Sequence, residues 1–118
     1  MPLYEADGSI DPATLKTVPD HYIIFYSSVV DGQMWCPDCR AVEELVKEAF
    51  SEDSPASGLI VYVGDRTQWK TPSNIYRQNP WHISSVPTIV KLIDGKEVDR
   101  LVDDAAILKN LKEFVKSG

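Results

Sequence analysis

Cys36-Pro37-Asp38-Cys39 sets two thiols three positions apart, and the 118-residue chain has no other cysteine. On a helix this spacing puts both sulfurs on nearly one face, with Cα atoms about 5 to 6 Å apart, a separation that a disulfide spans. Pro37 suits the first helical position, where its missing N–H costs nothing. Cys36 then stands at the helix N-terminus, where unpaired amides favour thiolate over thiol. Cys39 falls on the apolar stripe of the same helix and is expected to be the more buried sulfur. The asymmetry predicts a division of labour in thiol–disulfide exchange: Cys36 attacks, and Cys39 resolves the mixed disulfide. Asp38 stabilises the first turn but opposes a thiolate beside it.

Two blander assignments compete. A Cys-x-x-Cys pair can be half of a zinc site, with His21 and His82 completing the set, but neither histidine has the usual finger spacing. The pair can also be inert. What favours redox chemistry is the context, a β-α-β unit whose helix opens with the cysteines. No metal is therefore expected. Trp35, next to Cys36, is either a core aromatic or a platform for substrate, and the platform is favoured. Val86-Pro87-Thr88 reads most simply as the start of a strand. The functional alternative is a cis Val86–Pro87 bond that offers the Val86 main chain to a substrate. Trp69 and Trp81 read as packing residues, and Glu43, Glu44 and Glu48 as a solvated helix face.

The elements that must hold the pair are legible. His21 to Ser28 is apolar and aromatic through its middle, like a strand buried on both faces. Val29 to Met34 reads as a loop. From Cys39 the period lengthens to three and four: Val42, Leu45, Val46, Ala49 and Phe50 form one helical stripe, with Glu43 and Lys47 a turn apart on the solvent side. Leu59 to Val63 is a second strand, parallel to the first by the usual right-handed crossover. Gly64 to Ser85 reads as irregular, with a short helix near Ser73 to Gln78. Thr88 to Ile93 and Glu97 to Val102 flank Asp94-Gly95-Lys96, an antiparallel hairpin. Asp103 or Asp104 caps a last helix with the stripe Ile107, Leu108, Leu111, Phe114 and Val115. Upstream, Pro2-Leu3-Tyr4 suggests a short edge strand. Asp11-Pro12 opens a short helix carrying Leu15 and Val18. The sum is an α/β domain, a mixed central sheet flanked by helices on both faces.

Composition narrows the function. Apolar residues at 43% and charged residues at 25% match an average globular protein, and the length suits a single domain, 1–118. A net charge of −6 argues against nucleic acid or an anionic membrane as main partner. No apolar run approaches the roughly 20 residues of a spanning helix. Met1 to Ile10 lacks the marks of a secretory signal, so a reducing, cytoplasmic location is expected. No long exposed apolar stripe calls for a second copy, and a monomer is expected.

Trp35-Cys36-Pro37-Asp38-Cys39 after a buried strand, with Val86-Pro87-Thr88 before a hairpin, resembles the thioredoxin superfamily. The closer similarity is to the small thioredoxin-related proteins of the thioredoxin domain-containing protein 17 family. With these the chain also shares Val63-Gly64-Asp65-Arg66, Trp69-Lys70, Pro72, Asn74 and Arg77. The resemblance implies a thioredoxin fold and a cytosolic disulfide reductase. It implies no bound cofactor: the Cys36–Cys39 disulfide itself is the redox group, with electrons coming ultimately from NADPH through thioredoxin reductase. Implied substrates are small disulfides such as cystine and selected protein disulfides. Cys36 takes the role of nucleophile, Cys39 of resolving thiol and Pro87 of cis-proline. Ordinary thioredoxins carry a buried acid on the strand before the motif, whereas Tyr22 to Tyr26 has no carboxylate. Asp31, Asp38 and water are left as acceptors of the Cys39 proton. Two other functions stay open: glutaredoxin-like use of glutathione, which Asp38 disfavours, and a redox-switched adaptor with little turnover.

Overall fold

In the computed structural model the described residues are 3–5, 22–50, 57–78 and 81–116. The expected helix at Asp11 to Val18, and His21 with it, lie outside these. The sheet is built around β2 (Tyr22–Tyr26), all five residues of which are buried. It runs parallel to β5 (Gly58–Tyr62) and antiparallel to β6 (Thr88–Ile93). β1 (Leu3–Glu5) extends the β5 edge in parallel, and β7 (Lys96–Val102) closes the other edge, giving the order β1-β5-β2-β6-β7. A strand with neighbours on both sides and layers above and below has no wet face, which is why its sequence does not alternate.

The two faces of β2 part the core. Tyr22 meets Phe50 and Phe114 edge-on at 5.3 and 5.6 Å. These rings come from α1 (Pro37–Ala49) with its C-cap Phe50, and from α3 (Asp103–Lys116). Phe25 points the other way, towards Tyr76 and Trp81 at 5.8 and 5.5 Å. Among the described residues α1 and α3 thus cover one face, and the segment with Tyr76 and Trp81 covers the other. Lys91 is buried on the α1/α3 side, where its Nζ lies 3.4 Å from the Phe114 carbonyl oxygen. The negative end of α3 suits that cation.

Three expectations need correction. Val29 to Met34 is not a plain loop: β3 (Val29–Val30) and β4 (Gln33–Met34) pair as a hairpin about Asp31-Gly32. Both turn residues have positive φ (53° and 88°), the geometry Asp-Gly favours between antiparallel strands. The segment after β5 holds α2 (Arg66–Lys70), which the sequence reading missed, while the helix expected at Ser73 to Gln78 shrinks to a 3-10 turn, Ile75–Arg77. Asp65 and Gln68 form a full capping box for α2, a signal that periodicity over five residues cannot reveal. Finally, Leu108 is exposed, so the α3 stripe narrows to Ile107, Leu111, Phe114 and the half-buried Val115.

Candidate active site

Cys36 is the N-cap of α1, in extended backbone, and Pro37 and Asp38 follow in the first turn. Cys36 keeps 8% of its surface exposed and Cys39 none, and both are free thiols. Position on the helix explains the difference: the first residue meets solvent, whereas one turn later the stripe faces β2.

Ser27, the residue after β2, ties the two sulfur-bearing residues together. Its hydroxyl oxygen accepts the Cys36 N–H at 3.1 Å, and its own N–H donates to Cys39 Sγ at 3.4 Å. Sequence reasoning passed over Ser27; its signal is a polar residue directly after five apolar ones. Burial, first among the causes, pushes the Cys39 thiol up to about 12, against hydrogen bonds from Ser27 and with the charge of Cys36 adding to the rise.

That shift has a consequence for stability. An unfolded thiol titrates near 9.0, so below that pH both states are protonated and the contribution of the buried thiol is complete. Between pH 9 and about 12 the unfolded thiol ionises and the folded one does not, so stability falls across this window. Urea unfolding of the reduced protein should lose stability more steeply there in wild type than in Cys39→Ala. Parallel slopes would contradict the assignment.

The Val86–Pro87 peptide is cis, and the Val86 carbonyl oxygen lies 3.7 Å from Cys36 Sγ. Both residues are buried. The Pro87 carbonyl accepts the Asp103 N–H at 2.9 Å, which fixes this segment to the start of α3. Arg100 braces it from β7: the guanidinium forks onto Glu97 and donates to the Trp81 carbonyl at 2.9 Å.

Trp35 is half-buried, and its indole N–H donates to the Gly64 carbonyl at 2.9 Å. Gly64 has φ of +118°, where a side chain would be strained and a Cβ would lie 2.9 Å from Gln68. The Arg66 guanidinium stands 5.2 Å from the Trp35 ring centroid. Arg66 therefore sets a positive charge against Trp35, the residue before Cys36, in an otherwise acidic chain, a feature that appears only when α2 is in place.

Asp38 is exposed at the mouth of α1. Loss of hydration, then Asp104, then Asp103 raise its carboxyl above the ordinary value. Glu43 departs from the expected solvated face: it is half-buried and shares a cleft with Tyr26 and Tyr62, whereas Glu44 and Glu48 are exposed. Lys47 reaches Glu44 at 3.8 Å. Trp69 and Trp81 are buried packing residues, and the Arg77 guanidinium stacks on Trp69 at 4.0 Å.

Comparison with known proteins agrees with this geometry. The family model described as "Thioredoxin domain-containing protein 17-like, thioredoxin domain" matches residues 5–117. Thioredoxin-like protein Clot of Arabidopsis thaliana is 39% identical over 83 residues, 68% of this chain and 61% of the relative. Thioredoxin domain-containing protein 17 of Homo sapiens is 33% identical over 85 residues, 71% of this chain and 66% of the relative. The matched stretch covers less than two thirds of the length of the Clot proteins of rice and Arabidopsis. A solved thioredoxin of Malassezia sympodialis superposes with a TM-score of 0.66 at 18% identity, over 99% of this chain and 91% of that one. At that identity the likeness establishes the shared fold, a thioredoxin fold.

Proposed function

Because the chain belongs to the thioredoxin domain-containing protein 17-like family, we propose that it is a cytoplasmic thiol–disulfide oxidoreductase that reduces small-molecule and selected protein disulfides. The observation that carries this is the pair of free thiols at the start of α1, Cys36 8% exposed and Cys39 fully buried, with Ser27 accepting the Cys36 backbone N–H and donating its own to the Cys39 sulfur.

In the forward direction the Cys36 thiolate attacks one sulfur of the target, and the other leaves as a thiolate. The Cys39 sulfur then bonds to Cys36 Sγ, the bond from Cys36 to the substrate breaks, and the second product thiolate departs. The substrate has gained two electrons, and Cys36 and Cys39 are left as a disulfide. Thioredoxin reductase, with NADPH, supplies the electrons that reopen it. The Val86 carbonyl beside Cys36 and the Trp35 ring bound the approach, with Pro37, Asp38 and Pro87 framing it. No helix among the described residues is long and apolar enough to cross a membrane.

An NADPH-coupled assay with thioredoxin reductase, run side by side with cystine, insulin and glutathione disulfide, tests the proposal. Turnover of cystine without added glutathione is the expected result. Turnover that depends on glutathione would replace it with glutaredoxin-like chemistry. Absence of turnover, with partner affinity that changes on oxidation, would make the chain a redox-switched adaptor.

Arg66 bears on substrate choice. A guanidinium beside the Trp35 platform attracts the carboxylates of cystine, whereas a neutral disulfide gains nothing. Arg66→Ala should raise KM for cystine about two- to fivefold, the effect of an exposed contact worth ~0.5–1 kcal/mol. Hydroxyethyl disulfide should be reduced at the wild-type rate. Equal losses on both substrates would show that Arg66 merely supports the ring.

A further inference from the structure

We propose that Glu43, acting through the Tyr26 hydroxyl, takes the proton that Cys39 gives up as it resolves the mixed disulfide. This rests on the dithiol exchange set out above and supplies the acceptor that β2, having no carboxylate, does not provide.

Tyr26 is the last residue of β2 and 2% exposed, on the side of the sheet that faces α1. Its hydroxyl is buried, with no hydrogen-bond partner among the described residues. Buried hydroxyls are ordinarily satisfied, so an orphan of this kind points to a role. It borders a cleft of about 380 Å³ lined also by Leu3, Glu5, Glu43, Lys47, Ile60 and Tyr62. A cleft of this size with such walls admits water.

Glu43 lies four residues after Cys39 on α1, hence one turn along the same face, and is half-buried at this cleft. The groups that share the cleft with it come from every neighbouring element: Tyr26 of β2, Tyr62 of β5, Glu5 of β1 and Lys47 of its own helix. Tyr62 already donates to Glu5 Oε1 at 2.6 Å, which leaves Tyr26 as the hydroxyl able to serve Glu43. Burial, then charge at Cys39, then charge at Glu43, hold the Tyr26 phenol well above its ordinary value. A phenol that keeps its proton is suited to passing one on: its oxygen accepts while its hydrogen is donated. Asp31, on the exposed turn of the β3–β4 hairpin, and Asp38, exposed at the mouth of α1, do not line this cleft.

The balance of the step is simple. The Cys39 S–H proton goes to the Tyr26 oxygen and the phenolic proton to the Glu43 carboxylate; the hydroxyl has no direct partner in the resting geometry among the described residues, so a water of the cleft or a side-chain rotation bridges each transfer. The Cys39 sulfur bonds to Cys36 Sγ, and the bond from Cys36 to the substrate breaks, releasing a thiolate.

Reduced protein mixed with dithiobis-nitrobenzoate separates the two half-reactions, because attack by Cys36 releases one coloured thiolate and attack by Cys39 a second. In Glu43→Gln and in Tyr26→Phe the first release should keep its wild-type rate. The second should slow by about a hundredfold at neutral pH, the scale of a lost general base. It should recover as the pH rises towards the ionisation of Cys39 itself, near 12. A second phase that matches wild type across the pH range overturns the relay and leaves the dithiol mechanism standing. Equal slowing of both phases overturns it too, by showing a structural role. A wild-type protein that releases only one equivalent removes the dithiol mechanism and the relay with it.

Discussion

Cys39→Ser will hold a mixed disulfide on Cys36 after a single encounter with cystine, and multiple turnover will fall by at least about a hundredfold. The size of the effect follows from geometry. Cys39 Sγ sits one helical turn from Cys36, its position fixed by the Ser27 N–H, so its attack is intramolecular and already oriented. An external thiol has to supply that order afresh. In Cys36→Ser the remaining sulfur is fully buried, so intact-mass analysis should find no adduct. Adducts on Cys39 in Cys36→Ser, or none on Cys36 in Cys39→Ser, would reverse the assigned roles.

Trp81→Ala should cost about 4 kcal/mol, among the largest losses a single truncation brings. Trp81 is fully buried beneath β2, its ring 5.5 Å from that of Phe25, and its carbonyl accepts from Arg100. The indole fills the layer between the sheet and the segment leading to Val86, so its removal leaves a cavity that backbone tied on both sides cannot close. A fall in Tm on the order of 15 °C corresponds to that energy. Thermal unfolding checks it, and a shift of only a few degrees would mean that the layer collapses to fill the space.

What the sequence discloses depends on how far each signal reaches. Five apolar residues from Tyr22 to Tyr26 announce a doubly covered strand. Asp94-Gly95 announces a hairpin, and two cysteines leading into an apolar stripe announce a helix that opens with both thiols. Each is local and repeated, and the described structure contains all three. The misses share a cause. α2 is too short to show a period, and its capping box at Asp65 and Gln68 was the available clue. Glu43 was assigned to solvent because charge usually belongs there. Its i, i+4 relation to the buried Cys39 already placed it on the inward side, but only β1 and β5 reveal that a cleft waits there. Leu108 fits the apolar spacing of α3 and yet faces outward, since a helix needs only as wide a stripe as the sheet beneath it covers. Ser27 and Arg66 acquire meaning only from long-range contacts, with Cys36, Cys39 and Trp35.

Reduced wild-type protein treated with one equivalent of cystine and mapped by mass spectrometry puts the dithiol mechanism to its most direct trial. The product should be lighter by two hydrogens, with Cys36 joined to Cys39 and both halves of the cystine released as cysteine. A half-cystine retained on either sulfur, or a chain whose two thiols emerge unchanged, would contradict it.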